Sequence, residues 1–316
     1  MTKFKFYSLD FVSHFTKIDS VKISGSTMAR ALELYPEMGD HIINCFKKGG
    51  VIFSDPFPLI EGKPSVTFPK LPLRINEPDK IKDRKSIKKE ITFDTLRKIF
   101  RQYNQEGFVI LDDNQELIKR REEEYRNSFD DEIGVNIYRE PITREDKIIY
   151  TDVFTKEYES SGIMTIDKDG KKTGILMWIG VRLDDDCIQL EKVIDSSLKL
   201  LSDVGISGRR SVGKGFFSIN KYNINENLGF EGEGHYYLLS KFIPSENEIG
   251  KIDFRKSTYS FDIFSGLDKN GIPLGIYRYI LPGSILYLKD DVKGISIELN
   301  KQNRIIPFFG LFKRVV

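Results

Sequence analysis

Cysteine, histidine and tryptophan are almost missing from this chain of 316 residues, which has two, three and one of them respectively. Cys45 and Cys187 lie far apart and form no C-x-x-C pair, so neither a disulfide framework nor a zinc ribbon is expected, and a reducing cytoplasm fits. His14, His41 and His235 lack the spacing that sets two imidazoles on one helical face, and with it goes the simplest metal site. No metal and no other cofactor is expected. Long apolar runs are absent too. The longest, GILMWIGV at 174–181, falls well short of the ~20 residues that cross a bilayer, so no membrane span is expected. The opening MTKFKFYSLDF alternates polar and apolar residues without the continuous apolar core of a secretion signal, so no export is expected.

What is present describes a soluble globular protein: 40% apolar, 30% charged and 12% aromatic residues, in a chain long enough for two domains or one swollen by insertions. The net charge of +2 conceals a segregation of signs. Residues 70–101 carry eleven Lys or Arg against five acids, and residues 112–132 carry nine acids against four bases. Each block alone reads as a solvated surface, and only an independent signal turns the basic one into a polyanion site.

Apolar periodicity orders the chain. Lys3–Ser8 alternates as a strand; Ser24 or Ser26 can cap a helix bearing Met28, Ala31, Leu32 and Tyr35, and Pro36 stops it. A short helix at about 40–48 precedes a strand at 51–54 and the proline-punctuated PFPLIEGKPSVTFPKLP, suited to an edge or extended arm. Leu96, Ile99, Phe100 and Tyr103 mark the apolar face of a helix whose other side carries Arg97, Lys98 and Arg101. The charged region 75–147 reads as an insertion. Strands are predicted at 148–166 and 173–182, a helix at 187–204 closed by Gly205, and a strand from Phe216 to Tyr222. The order is β-α-β-β-α-β, a ferredoxin-like (RRM-like) α+β domain over 1–225 with large insertions. Residues 226–316 are strand-rich, with a hairpin signal at Asn270-Gly271, and read as a second, smaller and possibly degenerate ferredoxin-like domain.

The glycine-rich loop 205–215, within GISGRRSVGKGFFSI, holds the chemistry. Gly208-x-x-x-x-Gly213-Lys214 begins like a P-loop, but Gly215 stands where a hydroxyl should bind Mg²⁺. The order helix, loop, strand is also reversed, so no helix N-terminus faces a phosphate. Lys214-Gly215-Phe216 opens like an RNA-stacking signature that Phe217, Ser218 and Lys221 then break, and strand alternation buries one of the two phenylalanines. A backbone cradle for a single-stranded nucleic acid uses every residue type: bare main chain approaches phosphates or bases while Arg209, Arg210 and Lys214 neutralise charge. The bland alternative is a flexible connection whose glycines permit tight turning.

The ordered set of SGSTMARAL, FSDPFP, an apolar helix, GISGRRSVGKGFFSI, YYLLSKFIPS and LPGSILY resembles the RAMP-superfamily subunit four of type III-A CRISPR (Csm) effector complexes, over most of the chain. The resemblance implies a noncatalytic cytoplasmic subunit. It would grip the repeat-derived 5′ handle of the guide RNA (crRNA), meet target RNA through the guide duplex, and join the large polymerase-like subunit to the RAMP backbone filament. Carried onto this sequence, Gly208, Arg209, Arg210, Ser211, Gly213, Lys214 and Gly215 are the handle-binding residues. Ser24, Gly25, Ser26 and Arg30 form a second group, because a helix start with free N–H groups beside an Arg suits a phosphate; an ordinary cap with a surface Arg is the alternative. The family's projecting β-hairpin thumb maps to about 130–160, with Tyr138, Arg139, Ile142 and Arg144.

Some relatives in that superfamily are metal-independent endoribonucleases, and His14 is the one base this chain offers for such chemistry, with no Tyr or Lys partner fixed by spacing. Cleavage of CRISPR repeat RNA is therefore the rival activity. Asp184-Asp185-Asp186 suits the N-terminus of the following helix better than a Mg²⁺ site, and Asp167–Gly170 lacks the distal Glu of a calcium loop.

Overall fold

The computed structural model describes residues 2–11, 18–60, 63–71, 73–74, 90–107, 109–110, 136–144, 147–155, 165–166, 172–173, 175–206, 215–224, 226–267, 273–299 and 304–315. The loop residues 207–214, His14, Asp167–Gly170 and the Asn270-Gly271 turn, named above, lie outside them.

The first unit begins with β1 (Lys3–Phe11), followed by α1 (Ser20–Leu34), α2 (Gly39–Lys47) and the short strand β2 (Val51–Phe53). The proline-rich arm becomes β3 (Phe57–Ile60) and β4 (Lys63–Thr67), and then come β5 (Glu90–Thr92) and α3 (Phe93–Glu106). A long hairpin pairs β6 (Asn136–Arg144) with β7 (Lys147–Thr155) residue for residue. Next are β8 (Ile175–Leu183), α4 (Glu191–Val204) and β9 (Phe217–Lys221). The main sheet runs β9-β1-β8-β3-β4-β5, with β2 on the far end of β8. Taking β9, β1, β8 and the β2/β3 pair as fourth, first, third and second strands gives the ferredoxin-like order.

Alternation along β1 and β8 sorts the core. Tyr7, Leu9, Phe11, Ile179, Val181 and Leu183 point to one face, where α1 and α4 cover them with Ile23, Ala31, Ile194, Leu198 and Leu201. Phe6 and Trp178 point to the other. There they meet Leu96 and Phe100 of α3 together with Tyr237, Leu239, Phe309 and Leu311 of the second unit. Trp178 is fully buried, and its indole Nε1–H donates to the Ser65 carbonyl at 2.8 Å. Both faces of this sheet are therefore covered.

The second unit contains β10 (Gly234–Leu238), β11 (Ile252–Thr258), β12 (Phe261–Leu267), β13 (Pro273–Ile280), β14 (Ile285–Leu288), β15 (Gly294–Leu299), β16 (Arg304–Phe309) and β17 (Phe312–Arg314). Its four-stranded sheet runs β11-β14-β10-β17, again second, third, first, fourth. The helices of a full copy are replaced among the described residues. A 3₁₀ turn at Glu246–Lys251, with a Ser245/Glu248 capping box, stands between the first two strands, and the β15–β16 hairpin stands between the last two.

Three expectations need correction. Cys45 and Cys187 are bonded, with their Cα atoms 5.9 Å apart. Sequence separation concealed a proximity that arises because α2 and the turn before α4 pack on the same core, and the cysteine argument for a reducing compartment falls with it. The helix expected from 187 is a 3₁₀ turn at Asp185–Leu190 before α4 proper, while Asp184 is tied to Arg182 and Lys293. Arg97 is only partly exposed, paired with Asp94 and with Glu226, which leaves Lys98 and Arg101 as the exposed cations of α3.

Candidate nucleic-acid interface

The α4 stripe ends at Gly205, whose φ of +79° is left-handed and favours glycine. Ile206 then returns to the core, and its N–H donates to the Gly215 carbonyl at 2.9 Å. Gly215 has φ +83°, and a Cβ there would lie 1.9 Å from the Ile206 carbonyl oxygen. Two residues on, Phe217 is buried with its ring 5.2 Å from that of Phe11. Ile206 and Gly215, which bracket residues 207–214, thus form a neck pinched by this backbone hydrogen bond. The neck lies beside β9, which pairs with β1 and forms the sheet's edge. Of the candidate loop residues, Gly215 is placed as a neck residue; Gly208, Arg209, Arg210, Ser211, Gly213 and Lys214 lie outside the described residues.

The second group is not at a helix start. Asp19 is the N-cap of α1 and accepts from Lys22 N–H at 2.8 Å, while Ser20 N–H donates to Asp55 Oδ1 at 2.8 Å. Two of the N–H groups at this helix start are already given to carboxylates, and those acids disfavour a phosphate there. Periodicity alone placed the cap one to two turns late, because Val21 and Ile23 interrupt the polar run that precedes Ser24. Ser24 is buried, and among the described residues its hydroxyl has no hydrogen-bond partner. Gly25 and Ser26 are partly exposed, with no heavy atom within 4 Å of a Cβ built at Gly25, and Arg30 pairs with Glu33.

The thumb region contains the β6–β7 hairpin, whose register puts Tyr138 opposite Val153, Arg139 opposite Asp152, Ile142 opposite Ile149 and Arg144 opposite Lys147.

Sequence reasoning missed a buried polar cluster where the two units meet. Lys241 Nζ donates to Asp19 Oδ2 at 2.8 Å, Lys241 N–H donates to Ser20 Oγ at 3.1 Å, and the ammonium sits 4.7 Å from the Tyr279 ring centroid. Asp55 closes the group from the FSDPFP segment. Burial, then the neighbouring Asp19 carboxylate, pushes its pKa up to about 7. Its signal was the lone acid in that otherwise apolar, proline-flanked stretch.

A shallow cleft between the end of α1 and α4, lined by Tyr35, Asp195, Lys199 and Asp203, is a poor phosphate site. Burial pushes Asp195 up, but hydrogen bonds from Lys5, Tyr7 and Lys221 outweigh it and hold the carboxyl below its ordinary range.

The fold is thus two ferredoxin-like sheets packed face to face. No family model matches the chain, and no curated protein sequence matches it. Among solved structures it is similar to a chain in a Csm3–Csm4 subcomplex of the type III-A CRISPR–Cas interference complex, at 17% identity and TM-score 0.55, covering 98% of this chain and 99% of that one. It is also similar to a chain in a Csm1–Csm4 cassette with one ATP, at 12% identity and TM-score 0.46, over 99% and 98%. A third is a chain of a type III-B Cmr-beta complex bound to cognate target RNA, at 12% and 0.42, over 90% and 86%. The ferredoxin-like fold that the motifs suggested is the one the coordinates show, and the first of these likenesses shares it. Among the described residues no helix is long and apolar enough to cross a membrane.

Proposed function

We propose that this chain is a noncatalytic crRNA-binding subunit of a type III-A CRISPR effector complex. It holds the 5′ repeat handle of the guide RNA and links the large polymerase-like subunit to the RAMP backbone filament. The observation that carries this reading is the pinched neck at the edge of a sheet whose two faces are both buried. An RNA cannot stack on that sheet, so the polynucleotide is left the cationic, side-chain-poor loop that the neck presents. Gly208, Arg209, Arg210, Ser211, Gly213 and Lys214 make the handle contacts in this proposal, with Gly215 holding the loop in place. Gly25, Ser26 and Arg30 contribute from the side of α1, and the β6–β7 hairpin reaches the guide–target duplex.

The test is retention of a 5′-labelled repeat-handle RNA by the purified chain in EDTA. The reading expects a 1:1 complex with intact RNA, weakened at least tenfold by Arg209→Ala with Arg210→Ala. Unchanged retention in that variant sinks it. RNA fragments that accumulate and vanish in His14→Ala establish the endoribonuclease instead.

A further inference from the structure

The β12–β13 hairpin stands apart from both main sheets as a two-stranded ribbon. One face is accounted for: the rings of Phe264, Tyr277 and Tyr279 pack around Phe308. The register Phe261↔Ile280, Ile263↔Arg278 and Ser265↔Ile276 puts Phe261, Ile263 and Ile276 together on the opposite face. They are 58%, 53% and 75% exposed, the most exposed large apolar side chains among the described residues.

Ordinary alternation on a half-solvated ribbon places polar residues there, so three apolar ones need a partner to cover them. Arg278 stands exposed in the middle of the patch, and among the described residues no carboxylate pairs with it. Phe261 is also held in place, by edge-on packing against Tyr259, which in turn packs edge-on against Phe254. Such a fixed aromatic loses little conformational freedom on binding.

We infer that this face docks a protein, a neighbouring subunit of different sequence whose contacting surface is apolar and contains a carboxylate to meet Arg278. An RNA occupant is disfavoured by the chemistry of the patch. Bases stack on aromatic planes, and two of the three exposed side chains are branched aliphatics that offer none. A flat apolar core with one arginine in it is the composition of a protein interface.

This inference rests on the chain being a subunit of an RNA-guided complex, and the experiment separates the two. The full chain, carrying Ile263→Ser with Ile276→Ser or carrying Arg278→Glu, is titrated with each of the two purified protein subunits from the same genome, the large polymerase-like one and the backbone RAMP. In parallel it is titrated with handle RNA and weighed by light scattering. The expected result is at least a tenfold weaker Kd for one protein subunit in both variants, with unchanged Tm and RNA affinity within twofold of wild type. The inference is overturned if both protein affinities stay within twofold, if RNA affinity falls instead, or if the wild type self-associates through this face and the variants do not. A wild-type chain that binds neither protein subunit sinks this inference and the subunit reading together, whereas loss confined to the variants leaves that reading standing.

Discussion

Asp55→Asn isolates the buried cluster that joins the two units. The carboxyl is raised from 3.8 to about 7 by burial and by the neighbouring Asp19, so the folded state prefers it protonated. Its contribution is most favourable below the unfolded pKa near 4 and is lost progressively as pH rises to about 7. Integrating the linkage between those two values, stability through this group falls by about 2–3 kcal/mol from pH 5 to pH 8. Asparagine keeps an oxygen to accept the Ser20 N–H now given to Asp55 Oδ1, and it removes the titration. The variant is therefore close to wild type at pH 5 and gains on it towards pH 8, by about 5 °C in Tm for units of this size. Differential scanning fluorimetry of both proteins in matched-ionic-strength buffers reads the difference directly. A gap between the two melting curves that is constant across this window, or that narrows as pH rises, refutes the argument.

Trp178→Ala, at the centre of the shared core, should cost about 3–5 kcal/mol and lower the melting of both units in one transition by calorimetry; two separated transitions would contradict the shared core. Removing the Cys45–Cys187 bond, which closes a separation of 142 residues, should cost about 2–5 kcal/mol, read as a lower Tm in Cys45→Ala or in reductant. Free thiols reactive with iodoacetamide in the native protein would contradict the pairing. Arg209→Ala with Arg210→Ala should make the log–log salt dependence of handle binding shallower by about 1.4, two single-strand phosphate contacts at about 0.7 each. An unchanged slope would show that neither arginine meets a phosphate.

The sequence carried the elements more clearly than their meeting points. The stripes Ile194-Leu198-Leu201 and Leu96-Phe100 and the alternation of β1 give helix and strand from local geometry, and their order gives the ferredoxin-like unit. The second unit was harder to read, because a ferredoxin-like strand order without its helices leaves no 3.6-residue period to find. Lys241 meets Asp19 across 222 residues, and nothing in the local pattern of either announces the other. The exposure of Ile263 and Ile276 was hidden for a different reason. In β12 and β13 both faces carry apolar residues, so the pattern reads as a buried strand, and only the position of Phe308 decides which face is covered.

Covering both faces of the first sheet has a consequence for its glycines that separates structure from recognition. In the proposed reading a polynucleotide excluded from the sheet meets the main chain of residues 207–214, where side chains would hold it off. Gly215 is needed for another reason: its left-handed φ and its 1.9 Å approach to the Ile206 carbonyl oxygen leave no room for any Cβ. Gly215→Ala should therefore lower stability by about 1–3 kcal/mol, the range for a residue forced into such a backbone state, and should loosen RNA binding only as the neck opens. Gly213→Val, two residues away but beyond the neck, should leave Tm unchanged and weaken handle binding at least tenfold. If Gly213→Val instead melts early while holding RNA normally, the loop's bareness serves folding, and the backbone cradle is the wrong account of it.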